Sequence, residues 1–193
     1  MPLSGRSHVL GGLPMETYEN EFEDVLEMAR ALLGGNEDAA DLWEANDLVN
    51  RAIRIRPSDP EAWILKCQIL SALDDDTAAL AAVEMAVRRA PKLAEAHYWR
   101  AAVLADLERY GDALKAVERS FRHLNHEDDW LLEDLYCEKA MILDAIGRQD
   151  EAMATFEAGL KRCPESTILK AGLEPLRRER IRSTFKVIPG GLR

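Results

Sequence analysis

Apolar residues recur along this chain in steps of three and four, with polar residues between them. One such stretch follows Tyr18, and its apolar members are Phe22, Val25, Leu26, Ala29 and Leu32. A later stretch contains Leu132, Leu135, Tyr136, Cys137, Ala140, Met141 and Leu143. This spacing places the apolar side chains on one face of an α-helix. No segment alternates apolar and polar residues as a half-buried strand does, so the pattern predicts an all-α fold.

Three prolines mark a repeat within the chain. Pro57, Pro91 and Pro164 each follow a helical stretch, and each has a small residue five positions earlier. The first two prolines are 34 residues apart, and the last two are 73 apart, which is two periods of 34 plus five residues. A repeat of this length predicts helix pairs that bury their apolar faces by stacking on neighbouring pairs.

Residues at fixed positions of this repeat resemble the tetratricopeptide repeat family. The matching residues are Trp63, Cys67, Leu70, Ala79, Val83, Ala86 and Pro91 in a unit spanning 60–93, Ala101, Leu104, Ala113, Val117 and Ser120 in a unit spanning 94–127, and Tyr136, Ala140, Leu143, Ala152, Phe156, Gly159 and Pro164 in a unit spanning about 133–166. A degraded first unit, 18–59, fits if about four residues are inserted around Gly34 and Gly35. The resemblance implies a right-handed α-solenoid of about four helix hairpins.

Some residues depart from the family pattern or interrupt it. Lys66 replaces the usual leucine, and His97 and Asn125 replace an expected aromatic residue and a proline. The five extra residues lie within His123–Trp130. There we expect Asp128 or Asp129 to cap the next helix, and Trp130 to pack near its start.

The repeats define the expected organisation of the chain. We expect a disordered N-terminus over 1–14, a repeat domain over 15–182 and a flexible basic tail over 183–193. Within the domain, Ser166 should cap a final helix over 167–182, which covers the last exposed apolar face as terminal repeats require.

Three local features should shape the helix ends. Gly34 and Gly35 should end the first helix, and Asn36 should cap the second. Pro175 should kink or divide the final helix, because proline cannot donate the helical hydrogen bond. Gly147 should occupy an inter-helix turn, where a positive φ is easy for glycine.

The resemblance implies that the first helix of each unit lines a concave groove that holds a peptide or protein segment. The implied groove residues are Glu61, Ile64, Leu65, Gln68, Glu95, Tyr98, Trp99, Ala102, Asp134, Glu138 and Met141. Trp99 is the expected anchor, because a rigid ring buries a large area at little entropic cost. The alternative is that Trp99, Ile64, Leu65 and Met141 belong to the core, and that the carboxylates are only a solvated face.

Charge and composition narrow the class of partner. The chain of 193 residues carries a formal charge of −10, but residues 176–193 carry +5, which leaves −15 on the rest. An acidic body repels phosphate, so we expect no nucleic-acid partner. The chain contains no run of eighteen apolar residues, so we expect no membrane-spanning helix. Cys67, Cys137 and Cys163 suggest neither a disulfide framework nor a metal site, so we expect a reducing, cytoplasmic location and no cofactor.

The sequence therefore predicts a protein–protein interaction module, such as an adaptor, scaffold or chaperone, that binds a segment with apolar and basic residues. No nucleophile with a placed base, phosphate-binding glycine loop or metal cluster is apparent, so we do not expect an enzyme. The alternative is a structural or oligomerising subunit with a self-occupied groove. Under that reading the basic segment 176–188, in which Ile181, Phe185, Val187 and Ile188 are interleaved with cations, would fill its own groove or join two copies as a homodimer.

Overall fold

The computed structural model describes residues 15–35 and 38–186, and over these residues the chain forms nine α-helices, one 3₁₀-helix and no strand. The helices are α1 (Met15–Leu33), α2 (Ala39–Ile55), α3 (Pro60–Ala72), α4 (Asp76–Arg89), α5 (Ala94–Asp106), α6 (Tyr110–His123), α7 (Leu132–Ala145), α8 (Gln149–Arg162) and α9 (Thr167–Lys186), with the 3₁₀-helix η1 (His126–Leu131) before α7. The predicted all-α class is confirmed. Residues 1–14, Asn36 and 187–193 lie outside the described residues.

Consecutive helices pair as hairpins, α1 with α2, α3 with α4, α5 with α6 and α7 with α8, and the hairpins stack in chain order. The short loops within each pair make the two helices antiparallel. α9 packs against α7 and α8 at the end of the stack. Each hairpin contacts only its neighbours, which is the arrangement of a solenoid.

Equivalent turns join the two helices of three hairpins. Asp74 (φ 59°), Glu108 (φ 57°) and Gly147 (φ 78°) adopt the left-handed conformation immediately before α4, α6 and α8. Asp74 and Glu108 are 34 residues apart, and Glu108 and Gly147 are 39 apart, so the backbone repeats with the period read from the prolines. The predicted positive φ at Gly147 is confirmed.

Small residues allow the helices of a pair to approach closely. Ala79, Ala113 and Ala152 are fully buried at equivalent positions of α4, α6 and α8. At Gly159 the space is smaller still, because an added Cβ would lie 2.8 Å from the Cβ of Tyr136 and 2.9 Å from Cδ1 of Leu169. Close packing of this kind fixes the position of α8 against α7 and α9.

The five-residue insertion between the third and fourth hairpins forms η1. Its cap is Asn125, whose side chain accepts from the backbone N–H of Glu127 at 2.7 Å, while the Asp128 carboxylate accepts from the Asn125 N–H at 3.1 Å. The expected cap by Asp128 or Asp129 is therefore wrong. Trp130 is 59% exposed, so the expected packing of its ring is also wrong.

The ends of two other helices differ from expectation. The side chain of Asp38, rather than Asn36, caps α2 by accepting from the backbone N–H of Ala40. The Ser166 hydroxyl caps α9 as predicted, at 3.0 Å from the Leu169 N–H. Pro175 does not divide α9, which continues to Lys186. Residues 183–186, expected in a flexible tail, are therefore helical.

Candidate functional site

The solenoid has one side on which its helices lie closer together. Each odd-numbered helix contacts the next one along the stack, from α1 to α9, whereas no two even-numbered helices of the described chain are in contact. Closer spacing on the odd-numbered side makes that side concave. We call the surface of α3, α5 and α7 on this side the groove.

The predicted groove residues differ in how much of their surface is available. Glu61 and Met141 are exposed, and seven residues are half-buried, namely Gln68, Glu95, Tyr98, Trp99, Ala102, Asp134 and Glu138. Ile64 and Leu65 are each only 3% exposed. Leu65 packs among apolar residues of the first hairpin, and Ile64 packs with Ala86 and Ala96. As groove contacts these two are wrong, because they are part of the core.

Trp99 combines core packing with a polar contact at the groove. Its ring packs on apolar clusters that include Val103 and Ile64. Its indole N–H points to Oε1 of Glu95 at 3.4 Å, and its ring meets that of Tyr98 edge to face at 5.2 Å. Trp99 is therefore partly a core residue, and the part of its ring that stays accessible is held rigidly in place.

Carboxylates on α5 and α7 lie close enough to disturb one another. Burial, and then the charge of Asp106, raise the pKa of Glu138 to about 7. Burial also raises the pKa values of Asp106 and Asp134, with further contributions from Asp76 and Glu133 respectively. Burial first, then the charges of Asp134 and Glu138, raise the pKa of Tyr98. The groove therefore contains negative charge that is poorly hydrated and mutually repelling.

Cations are scarce beside these carboxylates. Arg30 of α1 forms an ion pair with Glu61, and its charge opposes the rise that burial causes in the pKa of Glu95. Over the described residues, none of the ion pairs involves Asp106, Asp134 or Glu138. Positive charge brought by a partner would relieve both the burial penalty and the repulsion.

Sequence reasoning missed three residues at this site. The insertion after α1 shifts Arg30 out of the repeat pattern. Asp106 lies at the end of α5, four residues after Ala102, which is the last position assigned to the groove on that helix. Asp128 of η1 lies near enough to Glu95 to raise its pKa further. Only Asp106 carried a usable signal, since it is a carboxylate four residues after Ala102 and therefore on the same face of α5.

Within the described part of the chain, no group of three or more His, Cys, Asp or Glu side chains is placed to hold a metal ion. No helix in that part combines the length and apolar character needed to cross a bilayer.

Comparison with known proteins addresses the repeat directly. The family model described as Tetratricopeptide repeat matches residues 133–166, which contain α7 and α8. Two further hairpins precede this unit with the same turn conformation at Asp74 and Glu108. The chain is a tetratricopeptide-repeat protein. No curated protein sequence matches it.

Solved structures share the fold of this tetratricopeptide-repeat protein at low sequence identity. PilF of Pseudomonas aeruginosa has a TM-score of 0.75 at 11% identity, over 86% of this chain and 72% of its own. MamA from Desulfovibrio magneticus RS-1 has a TM-score of 0.64 at 17% identity, over 86% and 84%. YrrB, described as a TPR protein with an unusual peptide-binding site, has a TM-score of 0.59 at 18% identity, over 86% and 85%. These likenesses establish the α-solenoid fold alone.

Proposed function

We propose that this chain is a non-catalytic interaction module of the cytoplasm, an adaptor, scaffold or chaperone, whose groove binds a protein segment that carries both cations and apolar side chains. The observation that carries the proposal is the set of carboxylates at Asp106, Asp134 and Glu138. Asp134 and Glu138 are half-buried, Asp106 is exposed, burial raises the pKa of each, and none of the three has an ion-pair partner among the described residues. Such groups favour a ligand that supplies Arg or Lys.

Apolar anchors lie beside these charges. Met141 is 59% exposed on α7, and its thioether is 3.7 Å from the Cys137 thiol. Tyr98 and Trp99 present the accessible parts of their rings on the neighbouring helix α5. A flexible methionine beside rigid aromatic rings suits apolar side chains of varied shape. YrrB, which has the same fold, is described as having a peptide-binding site, and this supports a peptide ligand here.

A peptide-display selection against the purified chain tests the proposal. We expect the selected peptides to be enriched in Arg and Lys together with aliphatic or aromatic residues. Binding of the strongest peptide, measured by fluorescence polarisation, should weaken roughly tenfold in Glu138→Gln, which corresponds to about 1.4 kcal/mol. Selected peptides that are acidic, or that bind the variant unchanged, would contradict the proposal.

A matched pair of methionine variants separates the groove from the rest of the surface. Met141→Ala removes an exposed groove side chain and should weaken the same peptide several-fold. Met28→Ala removes a side chain that is 54% exposed on α1, two residues from Arg30 and therefore on a different face of that helix. Equal losses in both variants would exclude the groove as the binding surface.

A further inference from the structure

The second half of α9 extends beyond the packed part of the solenoid. Leu176 is the last residue of α9 that the structure shows as buried, and every described side chain from 177 to 182 is exposed. Ile181 is 56% exposed although it is a large aliphatic residue. The six exposed residues 177–182 gain little from the packing of their own molecule, although α9 continues through them to Lys186.

Contacts with α8 show where this half of the helix lies. Leu169 lies beside Gly159, Gly172 beside Phe156 and Glu179 beside Gln149, so α9 runs antiparallel to α8. Gln149 is the first residue of α8. Residues 181–186 therefore project past the edge of the last hairpin by about 9 Å, at 1.5 Å per residue.

The projecting segment is complementary in charge to the groove. Residues 177–186 contain five cations and only Glu179 as an anion, a net charge of +4. Some of these cations make surface contacts with the same molecule, since Arg177 pairs with Glu157 at 2.9 Å and Arg180 lies 4.0 Å from Asp150. Exposed pairs of this kind contribute little and exchange readily for new partners. Ile181 supplies an apolar side chain within the same helical turn.

The geometry excludes insertion of this helix into its own groove. Arg177 and Arg180 face α8, which lies on the even-numbered side of the stack, and the helix then leads away from the last hairpin. We infer that the second half of α9 binds in the groove of a second copy of this chain. This inference rests on the proposed function of the groove and names its partner.

The size of the contact sets the expected strength. A ten-residue helix in a groove buries less than the roughly 1,200 Å² typical of stable complexes, so a dissociation constant on the order of micromolar is expected. Two copies can close the arrangement by exchanging their helices reciprocally. The association should also weaken with salt, because opposite charges carry it.

Sedimentation or multi-angle light scattering of the full chain at low salt tests this. We expect the mass to rise from monomer to dimer between concentrations of about 1 and 500 μM, and to return to monomer at about 0.5 M salt. The variant Ile181→Glu with Arg182→Glu should stay monomeric, and since both side chains are exposed its fold should be intact. Arg89→Glu, an exposed site at the end of α4, is the charge-reversal control and should still dimerise. A wild-type monomer at every concentration would overturn the inference.

Mixing two variants identifies the contact. The α9 variant keeps an intact groove, and a variant with Glu138→Gln and Glu95→Gln keeps an intact α9. Each alone should be monomeric, and the mixture should contain a heterodimer. Absence of the heterodimer would overturn the inference.

Peptide binding by the monomeric α9 variant reports separately on the proposed function. If that variant binds selected cationic peptides while the wild type stays monomeric, only the choice of partner is wrong.

Discussion

At the scale of single residues, the groove carries a cost in stability that depends on pH. The pKa of Glu138 is about 7 in the folded chain against a usual value of 4.5. Between these values the folded state binds more protons than the unfolded state, so this group lowers stability as pH rises from about 4.5 to 7 and keeps it low above. The Glu138 carboxylate therefore acts against folding at neutral pH.

Glu138→Gln should remove this cost. We expect a gain in the free energy of unfolding of about 1–2 kcal/mol at pH 8, after allowing for solvent screening of a half-buried side chain, and almost no gain near pH 4.5. Urea denaturation at the two pH values measures it. Asp144→Asn, at an exposed position of the same helix, should show no comparable gain at either pH. A gain that is equal at both pH values would argue against the raised pKa.

The turn residue Gly147 offers a second test at this scale. Its φ is 78°, and an added Cβ would meet no atom within 4 Å, so substitution changes the backbone energy and nothing else. Gly147→Ala should cost about 1 kcal/mol. Gly111→Ala is the control, since this glycine is helical and also has open space around it, and it should leave stability unchanged or raise it by up to about 1 kcal/mol. Thermal melts distinguish the two signs.

The sequence did not show that a histidine and a tryptophan can make the same hydrogen bond at equivalent positions of two repeats. Trp63 donates from its indole nitrogen to the Pro57 carbonyl at 3.0 Å, and Nε2 of His97 lies 2.9 Å from the Pro91 carbonyl. Both rings sit six residues after their proline. The sequence marked His97 as a departure from an aromatic position, whereas the structure shows that it makes the equivalent hydrogen bond.

At the scale of helices, the repeat was predictable because it depends on periodic burial. The small residues and the prolines set the hairpins, and a period of 34 is visible without coordinates. Contacts between hairpins were harder to predict. Lys66 donates to Asn50 at 2.7 Å, and Arg100, which is 34 residues later, donates to Glu84 at 2.7 Å. A polar bridge thus replaces the apolar contact that the family pattern suggested at Lys66.

Ala113 tests the register of the third hairpin. It is fully buried in α6, where it packs among Ala101, Leu104 and Val117. Ala113→Leu should overpack this contact and lower the free energy of unfolding by about 1–3 kcal/mol. Ala81→Leu, at an exposed position of α4, is the control and should change it by less than about 0.5 kcal/mol. If both variants melt like wild type, the helix face assigned to Ala113 is wrong.

The insertion and the last four residues of α9 show where the helix prediction was wrong. Nothing in the pattern of apolar residues distinguishes a 3₁₀ turn capped by Asn125 from an early α-helical turn capped by an aspartate. The apolar spacing of α9 ends at Leu176, yet the helix continues to Lys186, since Arg, Glu and Lys favour helix without needing burial. Burial patterns locate packed helices, but they do not show where an exposed helix ends.

At the scale of the whole molecule, the structure shows where the acidic and the basic parts of the sequence lie. The acidic repeats stack in a curve, so several of their carboxylates lie together in the groove. The cations of the C-terminal region lie on α9, whose second half extends away from the stack. The sequence predicted the sign of each region. It did not predict that Glu138 would be half-buried and near enough to Asp106 to be affected by its charge, because these residues are 32 positions apart and their separation in space depends on how tightly the hairpins curve.

The raised pKa of Glu138 predicts that peptide binding in the groove depends on pH. A cationic segment binds the Glu138 carboxylate better than the neutral acid, so its binding should lower the pKa of Glu138 and release a proton near pH 7. Affinity for a selected Arg-containing peptide should therefore rise several-fold from pH 6 to pH 8. Calorimetry in two buffers of different ionisation enthalpy would detect the proton directly.

Glu138→Gln should bind with little pH dependence over this range and release no proton. A pH dependence that persists in Glu138→Gln would place the titrating group elsewhere, and an affinity that falls with rising pH would contradict the charge assigned to the partner.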